Sequence, residues 1–142
     1  MKKLFFAVIA VFVFLPCFAQ DAKDSTEAII HPEYPAEFIG GNTLWIKYLT
    51  RNMNHDLASR YLIIPKGEKR VQQTVKMIFD IDQTGHTTNI KVENLSSVHP
   101  ELAKEGIRVI TGSPVWKPAS QDGKPVTDKR RQKLTFMWGN GL

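Results

Sequence analysis

The 142-residue sequence has little cysteine and no hydrophobic run of membrane-spanning length. Its one cysteine, Cys17, excludes a disulfide framework and a Cys-rich metal site. No apolar run reaches the roughly 20 residues of a transmembrane helix. The four histidines lack metal-ligand spacing, and no serine lies in a G-x-S-x-G elbow. Gly40-Gly41 lacks the Lys and Ser/Thr of a phosphate loop. These absences argue against an enzyme, and the sequence predicts neither a cofactor nor a metal site.

The first 19 residues are typical of a bacterial secretory signal peptide. Lys2 and Lys3 precede an apolar run of twelve residues at 4–15, and Pro16 then breaks the run. Small residues at 17 and 19 predict cleavage after Ala19, which would remove the only cysteine. Residues 20–33 are polar and predict a flexible leader. We therefore expect a periplasmic protein; an uncleaved anchor at residues 4–19 in the inner membrane is the alternative.

The net charge of +5 is modest. An exported chain without a strongly basic face is a poor partner for nucleic acid, so none is predicted.

Two segments have helical periodicity. Asn42 is a candidate N-cap, and residues 43–54 carry Trp45, Leu49 and Met53 at helical spacing. Residues 99–111 begin with Pro100 at the first helical position. The predicted apolar stripe of this second helix consists of Leu102, Ala103, Gly106, Ile107 and Ile110.

Three segments alternate as strands do. In residues 70–82, Val71, Val75, Met77, Phe79 and Ile81 share one parity; a turn at 82–85 and a strand through residues 88–92 follow. Residues 127–138 alternate with Leu134, Phe136 and Trp138 on the inner face. Residues 114–126 predict a loop with a turn at Asp122-Gly123. The fold class is therefore α+β, with a three-stranded antiparallel sheet and two helices packed on one face.

Three local features have a functional and a structural interpretation. Asp80 and Asp82 form a conceivable acid/base pair, but turn chemistry is favoured. Lys129, Arg131 and Lys133 fall on one strand face; the functional interpretation is binding to an anionic surface such as phospholipid or cell-wall polymer, but a solvated face that guards a sheet edge is favoured. Trp116, between two prolines, is either a ligand platform or, as we favour, a core residue.

Four segments resemble the C-terminal domain of TonB in the form common in Bacteroidetes, and this sequence resembles a short form of that protein without its Pro-rich spacer. They are YPAEFIGG at 34–41, VKMIFDIDQTG at 75–85, SVHPEL at 97–102, and VWKPA with DGKPV at 115–126. The last segment is the most specific, and Trp116, Pro118, Gly123 and Pro125 are its motif residues. The resemblance implies a domain spanning residues 34–142. Ile39 departs from the proline that usually precedes Gly-Gly in this group.

The resemblance implies binding without chemistry. Domains of this family engage outer-membrane transporters by pairing with an extended segment of the transporter. Carried over to this chain, the last strand supplies the pairing edge, and the partner-binding residues are Lys133, Leu134, Thr135, Phe136 and Met137. The expected partner is a TonB-dependent outer-membrane transporter or a membrane-anchored protein. An exposed edge also permits a homodimer. A cell-wall-associated or structural protein that uses the basic strand face is the alternative.

Overall fold

The computed structural model describes residues 32–139. The predicted signal peptide and nearly all of the predicted leader lie outside the described residues. The strands are β1 (Glu37–Phe38), β2 (Arg70–Ile81), β3 (Thr87–Val92), β4 (Trp116–Lys117), β5 (Ala119–Gln121), β6 (Lys124–Val126) and β7 (Asp128–Gly139). The helices are α1 (Gly41–Asn52), α2 (Asp56–Tyr61) and α3 (Pro100–Thr111), with a 3-10 turn at Leu95–Ser97.

The main sheet has three antiparallel strands in the order β3-β2-β7, which confirms the predicted fold class. The central strand β2 pairs with β7 over all twelve residues, from Arg70↔Gly139 to Ile81↔Asp128. The inward side chains of β2 alternate as predicted: Val75, Met77, Phe79 and Ile81 are buried, and Val71 is half-buried at the end. This face meets the helices. None of the described helices covers the opposite face, which we call the uncovered face.

Helix α3 covers β2 and β3, and α2 lies against β7. Gly106 allows the close approach of α3, since a Cβ there would lie 2.9 Å from Met77 Sδ. Pro100 occupies the first turn, as predicted, and His99 caps it by accepting from the Glu101 N–H. The predicted stripe is wrong at Ile107, which is 39% exposed. Val109 fills the core in its place, because the face of a helix that meets a sheet is wider than a single i, i+4 row.

Helix α1 begins earlier than the sequence predicts. Gly40 and Gly41 have φ values of 90° and 79°, so the chain turns at the two glycines and the helix starts at Gly41. Asn42 is therefore inside the helix and is not its N-cap. Helix α1 ends at Asn52 because Met53 is extended. The Tyr48 hydroxyl donates to the Val109 carbonyl at 2.9 Å and ties α1 to α3.

The predicted loop at 114–126 is wrong from residue 116 onward, where three short strands form, whereas the turn predicted at Asp122-Gly123 is present. Strand β4 pairs with β1, and β5 with β6 form a hairpin around Asp122 and Gly123, both with positive φ. Tyr34 also bridges Ser120, so residues 34–38 run antiparallel to residues 116–120 as one interrupted ribbon. Pro35 and Pro118 interrupt the ribbon, because proline donates no backbone N–H.

Trp138 departs from the predicted inner face. It shares the parity of Leu134 and Phe136 but is 43% exposed, while those two are nearly fully buried. Trp138 lies at the end of β7 opposite Val71, beyond the part of the sheet where the buried core residues lie.

Candidate binding edge

The predicted partner-binding residues all lie in β7, the strand at one edge of the described sheet. Leu134 and Phe136 have buried side chains, so these two side chains belong to the core. Lys133 and Thr135 are exposed, and Met137 is half-buried. Along this edge, a partner would therefore meet the backbone and the side chains at odd-numbered positions.

The hydrogen bonds of β2 reveal which backbone groups of β7 face outward. The Lys76 N–H donates to Asn94 Oδ1 at 2.9 Å, and the Lys76 carbonyl accepts from the Glu93 N–H at 2.8 Å. Both groups therefore point toward β3. Residues directly opposite in an antiparallel pair either bond to each other or both point away. Lys133, opposite Lys76, thus directs its N–H and C=O away from β2.

The same reasoning applies to Thr135. Its register partner Thr74 has a carbonyl that accepts from Asn94 Nδ2 at 2.9 Å, so Thr74 also faces β3. The backbone groups of Thr135 point outward, like those of Lys133, and so by alternation do those of Met137. These three residues form the β7 edge.

The uncovered face of the sheet is basic. Lys76, Lys91, Lys129, Arg131 and Lys133 lie on this face, together with Asp80 and Glu93. Arg131 Nε donates to Glu93 Oε1 at 3.1 Å. Lys76 and Lys133 lie directly opposite each other, an arrangement of like charges that favours a nearby anion. The positive charges that the sequence placed on one face are therefore together in the fold.

An aromatic cluster lies on the helix side of β7. Trp116 packs against Trp45 at 4.8 Å and Phe38 at 5.3 Å between ring centroids. The Arg130 guanidinium lies 5.8 Å from the Trp116 ring. The Trp116 indole donates to Ser113 Oγ at 2.8 Å, and its residue is 3% exposed. Trp116 is thus a core residue, as the sequence favoured.

Gln132 connects this cluster to the edge. Its Oε1 accepts from Trp45 Nε1 at 2.8 Å, and its Nε2 donates to the Lys133 carbonyl at 2.8 Å. Sequence reasoning missed both Gln132 and Asn94, and no local pattern marks either of them.

Asp80 and Asp82 take part in local turn and strand contacts. Asp82 Oδ1 accepts from the Thr84 hydroxyl at 2.6 Å and from the backbone N–H groups of Thr84 and His86. The Thr84 hydroxyl bond, followed by the His86 N–H, holds the pKa of Asp82 below its usual value. Asp80 accepts from Asn89 Nδ2 at 2.9 Å. This is the turn chemistry that the sequence favoured over acid/base catalysis.

Within residues 32–139, no three His, Cys, Asp or Glu side chains come together in a way that could hold a metal ion. None of the helices in this range is long and apolar enough to cross a bilayer.

The geometry defines a small α+β domain with a basic sheet face and an outward-facing edge strand. The chain belongs to the family of the TonB C-terminal domain: the family model described as "Gram-negative bacterial TonB protein C-terminal" matches residues 67–137. The match covers β2 through nearly all of β7, whereas residues 34–41 and α1 lie outside it. Neither the curated proteins nor the solved structures give a match.

The family match establishes the broad role. Domains of this family are periplasmic, transport-associated and non-enzymatic, and they interact with outer-membrane transporters. The chain therefore carries a TonB-like transport module.

The motif residues at 116–125 occupy structural positions. Trp116 is in the core, Pro118 separates β4 from β5, and Gly123 has φ 72° in the hairpin turn. Pro125 lies in β6 opposite Ser120. Trp116 and Pro118 lie in the ribbon, and Gly123 and Pro125 lie in the β5–β6 hairpin next to it.

Proposed function

We propose that this domain binds an extended segment of an outer-membrane transporter by strand addition to the β7 edge. The outward backbone groups of Lys133 and Thr135 carry the proposal, since an added strand gains affinity from main-chain hydrogen bonds. The family match supports the choice of a transporter as the partner.

The surroundings of the edge favour a particular partner chemistry. Side chains of an added strand alternate between the two faces of the sheet. Those on the uncovered face would lie beside Arg131 and Lys133, so acidic residues are favoured there. Those on the other face would approach the aromatic cluster, where apolar residues are favoured.

A proline at the edge tests strand addition. Thr135→Pro removes an N–H that points away from β2, which edge strands tolerate. The probe is a fluorescein-labelled peptide covering the periplasmic N-terminal segment of an outer-membrane transporter from the same bacterium. We expect Thr135→Pro to abolish binding in fluorescence anisotropy and to keep the wild-type circular dichroism spectrum.

Thr135→Val is the matched control, because it removes the hydroxyl that contacts Thr74 Oγ1 at 3.0 Å and keeps the backbone N–H. It should bind like the wild type. Alternate N-methylation of the peptide tests the same bonds without altering the domain. Strand addition would be rejected if the wild-type domain bound the N-methylated peptide as tightly as the unmodified one and if Thr135→Pro bound the unmodified peptide as tightly as the wild type does.

The basic face supports a second candidate function, attachment to an anionic cell-wall polymer. Cations outnumber anions on the uncovered face, and the like charges of Lys76 and Lys133 lie directly opposite each other. If the domain attaches in this way, replacing Lys129, Arg131 and Lys133 with Gln abolishes sedimentation with isolated cell wall. Replacing the exposed Lys47, Arg51 and Lys66 is the control, because it removes the same charge elsewhere. Equal sedimentation of both variants would reject this candidate.

We propose that the domain reaches the periplasm through the signal peptide at residues 1–19. The intact mass of the native protein in soluble and membrane fractions tests this proposal. A soluble species beginning at Gln20 supports cleavage after Ala19. A membrane species that retains Met1 supports anchoring by residues 4–19 instead.

A further inference from the structure

We propose that the side-chain amide of Gln132 occupies a hydrogen-bonding position on the β7 edge, and that an incoming strand must displace this amide. We call Gln132 the guard of the edge. This inference rests on the proposed strand addition and identifies a residue that sets its affinity. Gln132 is half-buried and shares the inward parity of Leu134 and Phe136, yet its amide reaches the outward carbonyl of the next residue.

The bond to Lys133 occupies a group that a partner strand needs. The Lys133 carbonyl points away from β2, and Gln132 Nε2 donates to it at 2.8 Å. A strand added at this edge would bring a backbone N–H to the same carbonyl. The amide of Gln132 must then leave that position or share it.

The other end of the amide holds the guard in place. Gln132 Oε1 accepts from Trp45 Nε1 at 2.8 Å, and Trp45 is fixed in the core, where its ring stacks on Tyr48 and packs against Trp116. A glutamine side chain has three soft torsions, so one bond alone would leave its amide poorly oriented. The indole restricts the amide to the orientation that reaches the edge.

The guard also limits pairing between copies of the domain. Exposed strand edges are templates for self-association, and natural sheets reduce this risk with edge lysines, prolines, bulges or covering segments. Lys133 supplies the charge at this edge, and Gln132 satisfies its carbonyl. Partner binding therefore competes with an internal bond.

Two variants remove the guarding donor in different ways. Gln132→Met keeps the length of the side chain and removes both polar groups. Gln132→Glu keeps an acceptor for Trp45 Nε1 and removes the N–H that reaches Lys133, so it preserves the contact to the core. The control is Gln72→Met, at an exposed position of β2.

We expect both Gln132 variants to bind the fluorescein-labelled transporter peptide with a Kd about two- to tenfold lower than the wild type, the range for one lost competing hydrogen bond. Gln72→Met should bind like the wild type. In NMR spectra of the wild type, the Gln132 side-chain amide resonances should move when the peptide is added. An equal or higher Kd in both Gln132 variants, with wild-type binding intact, overturns the guard and leaves strand addition standing.

A second measurement separates failure of the guard from failure of the proposed function. If the wild type binds no peptide, the proposed strand addition is rejected. The role of Gln132 is then tested by the self-association of the domain without peptide. Sedimentation velocity should show stronger self-association of Gln132→Met than of the wild type and Gln72→Met. If the wild type, Gln132→Met and Gln72→Met are all monomeric, the proposed role of Gln132 as the guard is rejected.

Discussion

The backbone of Trp116 lies directly against Gly85. The Trp116 N–H donates to the Gly85 carbonyl at 2.8 Å, and a Cβ at Gly85 would lie 2.0 Å from the Trp116 carbonyl oxygen. The β2–β3 turn and the segment that leads into β4 are therefore fitted to each other through a residue without a side chain.

Gly85→Ala should destabilise the domain strongly. Gly85 has φ +86°, a left-handed conformation that costs an L-residue about 1–2 kcal/mol, and the clash with Trp116 adds about 1–3 kcal/mol of overpacking. Gly123→Ala is the control, because φ is +72° there but the Cβ would meet nothing within 4 Å. Urea unfolding of both variants measures the difference. Equal losses of unfolding free energy in the two variants would show that the Trp116 backbone moves to accommodate the added methyl group without a free-energy penalty.

Trp116→Ala should lower the free energy of unfolding by about 3–5 kcal/mol, because it empties the centre of the aromatic cluster. Trp138→Ala removes the same side chain from a position that is 43% exposed, so it should cost far less. Thermal unfolding of both variants tests this ranking. A larger loss at Trp138 would contradict the assignment of Trp116 to the core.

The stability of the domain should fall in acid through Glu105. This carboxylate is 8% exposed and accepts from Arg108 Nε and Nη2 at 2.8 and 2.6 Å and from the Asn54 N–H at 2.8 Å. The Arg108 side chain is the larger cause that holds the pKa of Glu105 below its ordinary value of 4.5. Because the pKa is lower in the folded state, this contribution is present above pH 4.5 and disappears as the pH falls through the folded value.

Urea unfolding of the wild type at pH 6 and pH 3 measures the acid loss. Glu105→Gln should be less stable than the wild type at pH 6 and should lose less on acidification. Glu101→Gln is the control, since the Glu101 pair with Lys104 is solvent-exposed. An unchanged pH dependence in Glu105→Gln would assign the acid sensitivity to other groups.

Two hydrogen bonds from the Asn94 side chain to β2 should stabilise the sheet where β3 ends. Asn94 Oδ1 accepts from the Lys76 N–H and its Nδ2 donates to the Thr74 carbonyl, both at 2.9 Å. Asn94→Ala should cost about 1–3 kcal/mol and increase hydrogen exchange at the Lys76 amide. Asn52→Ala removes an exposed side-chain amide that bonds the Tyr48 carbonyl and is the comparison. Unchanged exchange at Lys76 would contradict the role of Asn94.

Alternation along three segments was sufficient to predict the strands of the main sheet. The apolar positions of β2 and the turn ending at Gly85 depend on neighbours a few residues apart, and the structure confirms both. The helix over residues 100–111 is likewise marked by Pro100 and by helical spacing. These elements were predictable because the signal and the structure have the same short range.

The ribbon was not predictable in this way. Its strands are two or three residues long, two prolines interrupt it, and Tyr34 meets Ser120 across 86 positions of sequence. No alternation develops over such short strands. The exposure of Trp138 and Ile107 also depends on where the core ends, which a periodic pattern does not record.

For the proposed binding edge, the sequence predicts only a strand, and the partner-binding role of its residues stays a prediction. The family resemblance placed the partner-binding residues in β7, but the direction of each backbone group follows from Asn94 and Glu93 on the far side of β2. The contact of Gln132 with Trp45 joins residues 87 positions apart. These bonds are properties of the tertiary fold, and no local pattern contains them.

The pairing of Arg70 with Gly139 has a consequence for the order in which the domain forms. As the chain is synthesised or delivered from its N-terminal end, β2 emerges nearly sixty residues before the strand that completes its main pairing. Hairpin β2–β3 and helix α3 can associate early through local contacts, but the core remains open on one side. A nascent chain that ends before β7 therefore exposes an apolar central strand, and folding becomes cooperative only when the last strand of the sheet arrives.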